Sequence, residues 1–325
     1  MTTIDDDPYK YGFISSWLQF DYEKLLETAQ IQELRAVADT YKINMIRVRN
    51  LGMLLPEVAY WTRITTRLGS VANARLGRPI ELPGRIRGVP APDQAFQEEA
   101  AKQHAEWFKI KPEPGEAWQD GNDLVKALVS VAPTSHGIGL QALMSAILLE
   151  TWSAFEGLLI DTWKTALNLA PNSLSAGVLG NEKSIPVAAL QRYGFNVADK
   201  LGDVLSDIPG KVDLASLSGI KKAYKAAFAE ADPEAIFNAY DPALSHFEAI
   251  RHLFAHRAGK VDERFLRRVR KDADLSAYQV GDELKINGLL VSQLTDAAVR
   301  CAVEVHSFVD SWLLDLRTDL FAKPE

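Results

Sequence analysis

A single cysteine, Cys301, is all the thiol chemistry this chain holds, so a disulfide-stapled scaffold is excluded. No long apolar run free of charge is present either. The most apolar helical stretch, Ala142 to Trp163, carries Glu150, Glu156 and Asp161, and three carboxylates are too costly for a segment that faces lipid. A basic-then-apolar leader is also missing, because Asp5, Asp6 and Asp7 stand close behind Met1, and a water-soluble, cytoplasmic protein is expected. Basic residues are in deficit: 36 Lys and Arg against 43 Asp and Glu give a net charge of −7, which excludes the uniformly basic surface of a general nucleic-acid coat protein. What the chain does have is apolar content, 47% of 325 residues, enough for one large core or two ordinary ones.

The apolar spacing is helical nearly throughout and predicts an all-α fold. From Phe20 to about Leu76, apolar residues recur three and four apart (Leu25, Ala29, Leu34, Met45, Leu55, Val58), which predicts two or three helices with Pro56 kinking or breaking one. Gly77 to Asp93 is rich in Pro and Gly and predicts a loop, followed by a helix from about Asp93 to Phe108. Pro112 to Gly121 predicts a second connection. The expected domain break lies just beyond it, giving a helical N-terminal region over 1–130 of unassigned role and a helical bundle over 131–325. In the second half the longest helix is expected from Gly139 to about Leu169, stopped by Pro171, with a loop from Asn172 to Ile185. Asp213, Asp232-Pro233 and Asp241-Pro242 are helix-start signals, and Gly259 is expected to close the Asp241 helix. Tyr278 to Val291 alternates around Gly281-Asp282 and Asn287-Gly288, which predicts a small β-hairpin near 278–291, and Ser292 is the expected cap of a final helix to about Leu320.

Two tracts depart from the acidic average. Arg257 to Lys271 holds seven basic residues (Arg257, Lys260, Arg264, Arg267, Arg268, Arg270, Lys271) against Asp262 and Glu263. Lys42 to Arg78 holds seven more against Glu57 alone. Tracts of this kind are ordinarily solvated helix faces; position beside a reacting group is what would make one a phosphate track.

Such a group follows from the helix that starts at Asp241. At about 100° per residue, with Phe247 at zero, Ile250, Phe254, Ala258 and Leu244 fall within about 60° of it and define an apolar face. Arg251 lands at about 40°, inside that face, while Glu248, His252 and His256 line up beside it at about 100°, 140° and 180°. An arginine among core positions cannot deprotonate and needs a carboxylate or a phosphate. Glu150 or Glu156 of the long helix is the structural partner; a phosphodiester is the functional one. An imidazole suits proton transfer near neutral pH. Glu248, His252 and His256 stand four apart and have the spacing of metal ligands, but the basic tract nearby would repel a dication, and no metal or other cofactor is expected. Cys301, among Ala298, Ala302 and Val305, reads as a buried filler.

Arg251-His252-Leu-Phe-Ala-His256 resembles the Arg-x4-His motif of HEPN (higher eukaryotes and prokaryotes nucleotide-binding) domains, helical bundles that in many members are metal-independent endoribonucleases. The helix bearing Glu150 and Glu156, the segment Ile220 to Phe228, the run from His256 to Phe265 and the last helix are similar as well, so the resemblance covers about 136–320. It implies an RNA substrate and a homodimer whose two motif helices form one composite site. Within that site it implies that Arg251, His256 and His252 are catalytic, with Glu156 as supporting acid. Arg257, Lys260, Arg264, Arg267 and Arg268 would bind flanking phosphates. It also implies a toxin or defence effector with an antitoxin or other regulatory partner, though the tyrosine that antitoxin-controlled members often carry two places after the histidine is Ala258 here. The alternative expectation is a catalytically silent HEPN module for dimerisation, nucleotide binding or protein interaction.

Overall fold

A computed structural model describes residues 20–79, 93–110, 113–131, 133–180, 184–197, 199–229 and 231–322. Among these residues there are helices and no strands, as the periodicity predicts. They run in the order α1 (Tyr22–Thr28), α2 (Gln32–Arg75), α3 (Gln94–Lys109), α4 (Pro114–Val131), α5 (Pro133–Leu169), α6 (Pro171–Leu179), α7 (Val187–Arg192), α8 (Leu201–Ser206), α9 (Leu217–Ala227), α10 (Glu234–Ala239), α11 (Ala243–Arg257), α12 (Glu263–Val269) and α13 (Gly288–Ala322). A single 3-10 turn, Leu275–Ala277, lies between the last two.

The chain forms two compact units that do not follow the expected break near 130. One takes the described residues up to Arg49 together with those from Gln141 onward; the other runs from Asn50 to Leu140. The cause in the first unit is a buried polar tie over a long sequence separation. Asp310 of α13 accepts the backbone N–H groups of Gln30 and Ile31, at 3.1 and 3.0 Å, just ahead of α2, and His306 one turn earlier bonds the Leu34 carbonyl at 3.0 Å. These N–H groups have no helical acceptor of their own, so the carboxylate of a distant helix serves as their cap. Asp310→Ala leaves both without a partner, that of Ile31 in a buried place, and is expected to lower stability by about 1–3 kcal/mol, read as a lower thermal midpoint with the helical circular-dichroism spectrum retained at 20 °C.

The core of this unit is built on α5. Its inward side buries Met144, Ile147, Leu148, Trp152, Phe155, Leu159 and Trp163. Against it α11 sets Phe247, whose ring meets Trp152 edge-on at 5.2 Å, and α9 sets Tyr224, whose hydroxyl donates to the Leu159 carbonyl at 2.7 Å. The Trp163 indole N–H donates to the Ala223 carbonyl at 3.0 Å, so α5 and α9 are pinned by two polar contacts inside an apolar interface. α13 closes the layer: Phe308 and Trp312 pack edge-on against Phe228. Gly177 of α6 is the closest approach in this unit, since a Cβ there would lie 1.9 Å from the Ala226 carbonyl oxygen.

In the second unit Pro56 neither ends nor splits α2, which continues through it. A proline inside a helix costs about 3 kcal/mol. The packing there is close enough to help offset that cost: a Cβ on Gly121 of α4 would lie 2.3 Å from the Pro56 carbonyl oxygen. The connection expected over Pro112 to Gly121 is instead largely the first turns of α4, with Pro114 as its first residue, and Pro171 likewise opens α6 where a loop is expected. Proline read as a stop signal is here the start of the next helix, because its missing N–H is one the first turn does not need.

The hairpin expected near 278–291 does not form. Its alternating residues find a partner elsewhere: Lys260 and Glu283 make one antiparallel bridge, with Val261 N–H donating to the Asp282 carbonyl and Leu284 N–H to that of Gly259, both at 2.9 Å. The Asn287-Gly288 pair is a helix start rather than a turn, since the Asn287 side chain accepts the Leu290 N–H at 2.9 Å and α13 begins at Gly288. Ser292 therefore lies inside α13, buried, and is not its cap.

By length and composition Ser135–Leu169 would suffice to cross a membrane, and half of its most apolar window is buried inside the fold. That burial is what a core helix requires.

Candidate functional site

The helix α11 is held at both ends. Ahead of it Asp241 accepts from Lys221 Nζ at 2.7 Å and from the Ser245 hydroxyl at 2.8 Å, in place of the backbone cap expected from the sequence. Behind it Ala258 and Gly259 both take left-handed backbone conformations, with φ of 51° and 78°, and their N–H groups return to the Leu253 carbonyl. The expected left-handed closure thus starts one residue early. The chain then runs straight into the bridge with 281–284, and Asp262 caps α12 by accepting the Phe265 N–H at 2.8 Å. Phe265 and Val269 are buried, so α12 is anchored on one side and presents Arg264, Arg267 and Arg268 on the other.

Leu244, Phe247, Ile250 and Leu253 form the buried face of α11. Arg251 leaves that face toward α5, where its guanidinium meets Glu156 Oε2 at 3.3 Å and lies 6.0 Å from the centre of the Trp152 ring. The acid expected as its structural and supporting partner is therefore Glu156, not Glu150. Burial pushes the Glu156 carboxyl above its usual range, Arg251 pulls it back, and Glu248 adds to the rise.

His252 and His256 stand one turn apart with ring centres 4.9 Å apart and planes inclined at 58°. His256 is exposed and His252 half-buried. Desolvation, followed by the nearby charges of Arg264, His256 and Arg268, lowers the His252 pKa, with Asp262 opposing, so its neutral form is favoured. A neutral imidazole beside arginines is a proton acceptor or a hydrogen-bond partner for an uncharged hydroxyl.

One surface therefore gathers His252, His256, Arg264 and Arg268. Arg268 bonds Glu248 Oε2 at 2.8 Å, while Glu248 Oε1 accepts the Leu217 N–H at the start of α9, at 3.0 Å. Arg257 leans toward Asp262 at 3.9 Å and Arg267 toward Glu263 at 3.7 Å. Exposed pairs this long hold little energy and release their cations readily. Lys260, Arg264, Arg270 and Lys271 are exposed, with no described carboxylate within 4 Å. Arg251 and His256 are not brought together within one chain: one faces α5, the other faces solvent.

The rival uses of this region fare differently. The metal set that Glu248, His252 and His256 could have made lacks its acid, which is taken by Arg268 and the α9 backbone; among the described residues no three His, Cys, Asp or Glu side chains gather as ligands. Cys301 is buried inside α13, and burial, with Glu304, pushes its thiol up to about 12, far from a reactive thiolate. His136 bonds the Leu128 carbonyl at 2.7 Å, and His246 sits 3.5 Å from Asp272. In the Lys42 to Arg78 tract, Lys42 pairs with Glu23, Arg75 with Glu99 and Glu106, and Arg78 with Asp93, so much of its charge is locally compensated.

Two groups of residues escape the sequence reading. Trp152, buried in the core, is also the aromatic ring beside Arg251. Lys221, Lys222 and Lys225 of α9 share a cavity with Arg268, and their spacing of one, three and four residues was the available signal. No family model matches the chain, and neither a curated protein nor a solved structure matches it.

Proposed function

We propose that this protein is a metal-independent endoribonuclease of the HEPN type, acting at a composite site made by two Arg-x4-His motifs in a homodimer. The observation that carries the reading is the pair of half-buried His252 and exposed His256, 4.9 Å apart, at the edge of a basic helix on which Arg264 has no described acid within 4 Å and Arg267 is only loosely paired. In the reaction one imidazole takes the 2'-hydroxyl proton as the 2'-oxygen attacks the adjacent phosphorus. Arg251 stabilises the negative charge of the phosphorane, and a second imidazole donates its proton to the departing 5'-oxygen. The products are a 2',3'-cyclic phosphate and a 5'-hydroxyl.

Arg251 and His256 are about 140° and about 7.5 Å of rise apart on one helix, which is why a second chain is needed to complete the set. Glu156 fixes the guanidinium while leaving other N–H donors of its five for a phosphate. The exposed cations of α12 and of 257–260 contact flanking phosphates, so RNA binding falls steeply with salt. A cytoplasmic toxin or defence effector, held in check by a regulatory partner, is the role this activity suits.

The test is incubation of purified protein with mixed RNA in EDTA at two salt concentrations, with analysis of product ends. Cyclic-phosphate and 5'-hydroxyl ends, formed more slowly at high salt, are expected; intact RNA, or 5'-phosphate ends, would remove the assignment. One observation favours a second reading, a silent helical module for dimerisation or partner binding: Arg251 already has an acid and an aromatic ring as neighbours in its own chain. A dimer that binds RNA without cutting it would select that reading.

A further inference from the structure

Between α9, α10, α11 and α12 lies an open cavity of about 420 Å³, away from the two histidines. Its charge is unusual for a chain with a net excess of acid. Lys221, Lys222 and Lys225 from α9 and Arg268 from α12 line it, against the carboxylates of Glu234 and Glu248 and, bonded to Lys221, that of Asp241, an excess of one positive charge.

The gathering is built by helix geometry. With Leu217 at zero, Lys221, Lys225, Ser218 and Lys222 fall between about 40° and 140° around α9, whereas buried Ile220, Ala223, Tyr224 and Ala227 fall between about 240° and 340°. Packing the second face on α5 forces the first one outward. A lysine face alone would be a solvated surface and nothing more. Here a cation of a different helix faces the same volume, and three of the four cations are held by acids: Lys221 by Asp241 at 2.7 Å, Lys225 by Glu234 at 2.6 Å and Arg268 by Glu248 at 2.8 Å. The acids orient the cations without cancelling the excess. Each lysine Nζ has three donors, and one is spent on its carboxylate. Lys222 is exposed with no described acid within 4 Å. Like charges gathered around a cavity repel one another, and an entering anion removes that cost.

We propose that this cavity is a phosphate-binding site, with Lys222 as its free cation, Lys221, Lys225 and Arg268 as oriented donors, and the Ser218 hydroxyl as a neutral one. Glu248 at its rim is two turns of α11, about 12 Å, before His256. The phosphate can therefore come from a strand that also reaches the histidines or from a free phosphorylated molecule. The site stands on the cavity and its charges and does not depend on the nuclease reading.

The test uses the full chain carrying Lys222→Glu, with Lys102→Glu on the exposed side of α3 as a control of equal charge. Two probes are titrated in phosphate-free buffer: inorganic pyrophosphate by calorimetry, and an eight-residue 2'-O-methyl RNA by fluorescence anisotropy, neither of which needs cleavage. Lys222→Glu is expected to weaken pyrophosphate at least tenfold while Lys102→Glu leaves it within twofold of wild type. If the RNA probe weakens in parallel and pyrophosphate displaces it, the ligand is an RNA backbone; if the RNA probe is unaffected, it is a small phosphorylated molecule. Failure of the wild type to bind pyrophosphate at millimolar concentration, or equal losses in the two variants, overturns the proposal.

Discussion

His256→Ala is expected to lower RNA cleavage by about 10²–10⁴-fold, the usual contribution of one positioned acid or base, and to leave thermal stability and oligomeric state as in the wild type. The second half of that expectation comes from exposure. His256 lies on the open side of α11 and its nearest described ring contact is His252, so truncation removes neither core volume nor a buried hydrogen bond. Loss of cleavage with an unchanged melting curve therefore reads as chemistry. His252→Ala separates the two imidazoles further: if His252 only orients, its loss costs far less than that of His256, and the pH profile of the remaining activity is still that of one imidazole base and one acid. Undiminished cleavage by His256→Ala would remove the residue from the mechanism.

Arg251→Ala is expected to abolish cleavage as well, but with a structural signature that His256→Ala lacks. Removing the guanidinium leaves Glu156 beside Trp152 and Glu248 with no cation. Because Arg251 keeps 28% of its side chain exposed, the loss is expected near 1–2 kcal/mol at neutral pH, well below that for a fully buried pair. Its pH dependence has a definite sign. Burial already raises the folded-state pKa of Glu156, and Arg251 counteracts the rise, so the variant raises it further. A carboxyl whose folded pKa lies above its unfolded value destabilises the fold at pH values above both and ceases to do so below the unfolded value. The deficit of Arg251→Ala relative to wild type is thus largest at neutral pH and shrinks as pH falls through the carboxylate range, measured as paired melting curves at pH 7 and pH 4.5. Arg251→Lys keeps the charge and most of the stability but loses the planar fork, so cleavage falls with little change in melting. If Arg251→Lys and wild type cut RNA equally well, the arginine is a packing device and the silent-module reading gains.

Much of this arrangement is legible in the residues alone. The three-and-four spacing gives the helices, and the wheel of α11 puts Arg251 on an otherwise apolar face and lines up Glu248, His252 and His256 beside it. The same arithmetic, applied to Lys221, Lys222 and Lys225, would have marked the second basic face. Proline is ambiguous: Pro114 and Pro171, expected in a connection and at a helix stop, each begin a helix, and local sequence does not distinguish the two roles.

Residue types and their periodicity determined by themselves that this chain is helical, which faces turn inward, and where cations follow the histidines, because those properties act over a few residues of one element. Only the tertiary structure decided that Glu156 rather than Glu150 meets Arg251, that Asp310 caps a helix 279 residues earlier, that 281–284 pairs with 259–261, and that α9 shares a cavity with α12. Each of these is a choice among chemically equivalent partners far apart in the chain, and the choice is made by which faces the core brings within a few ångströms.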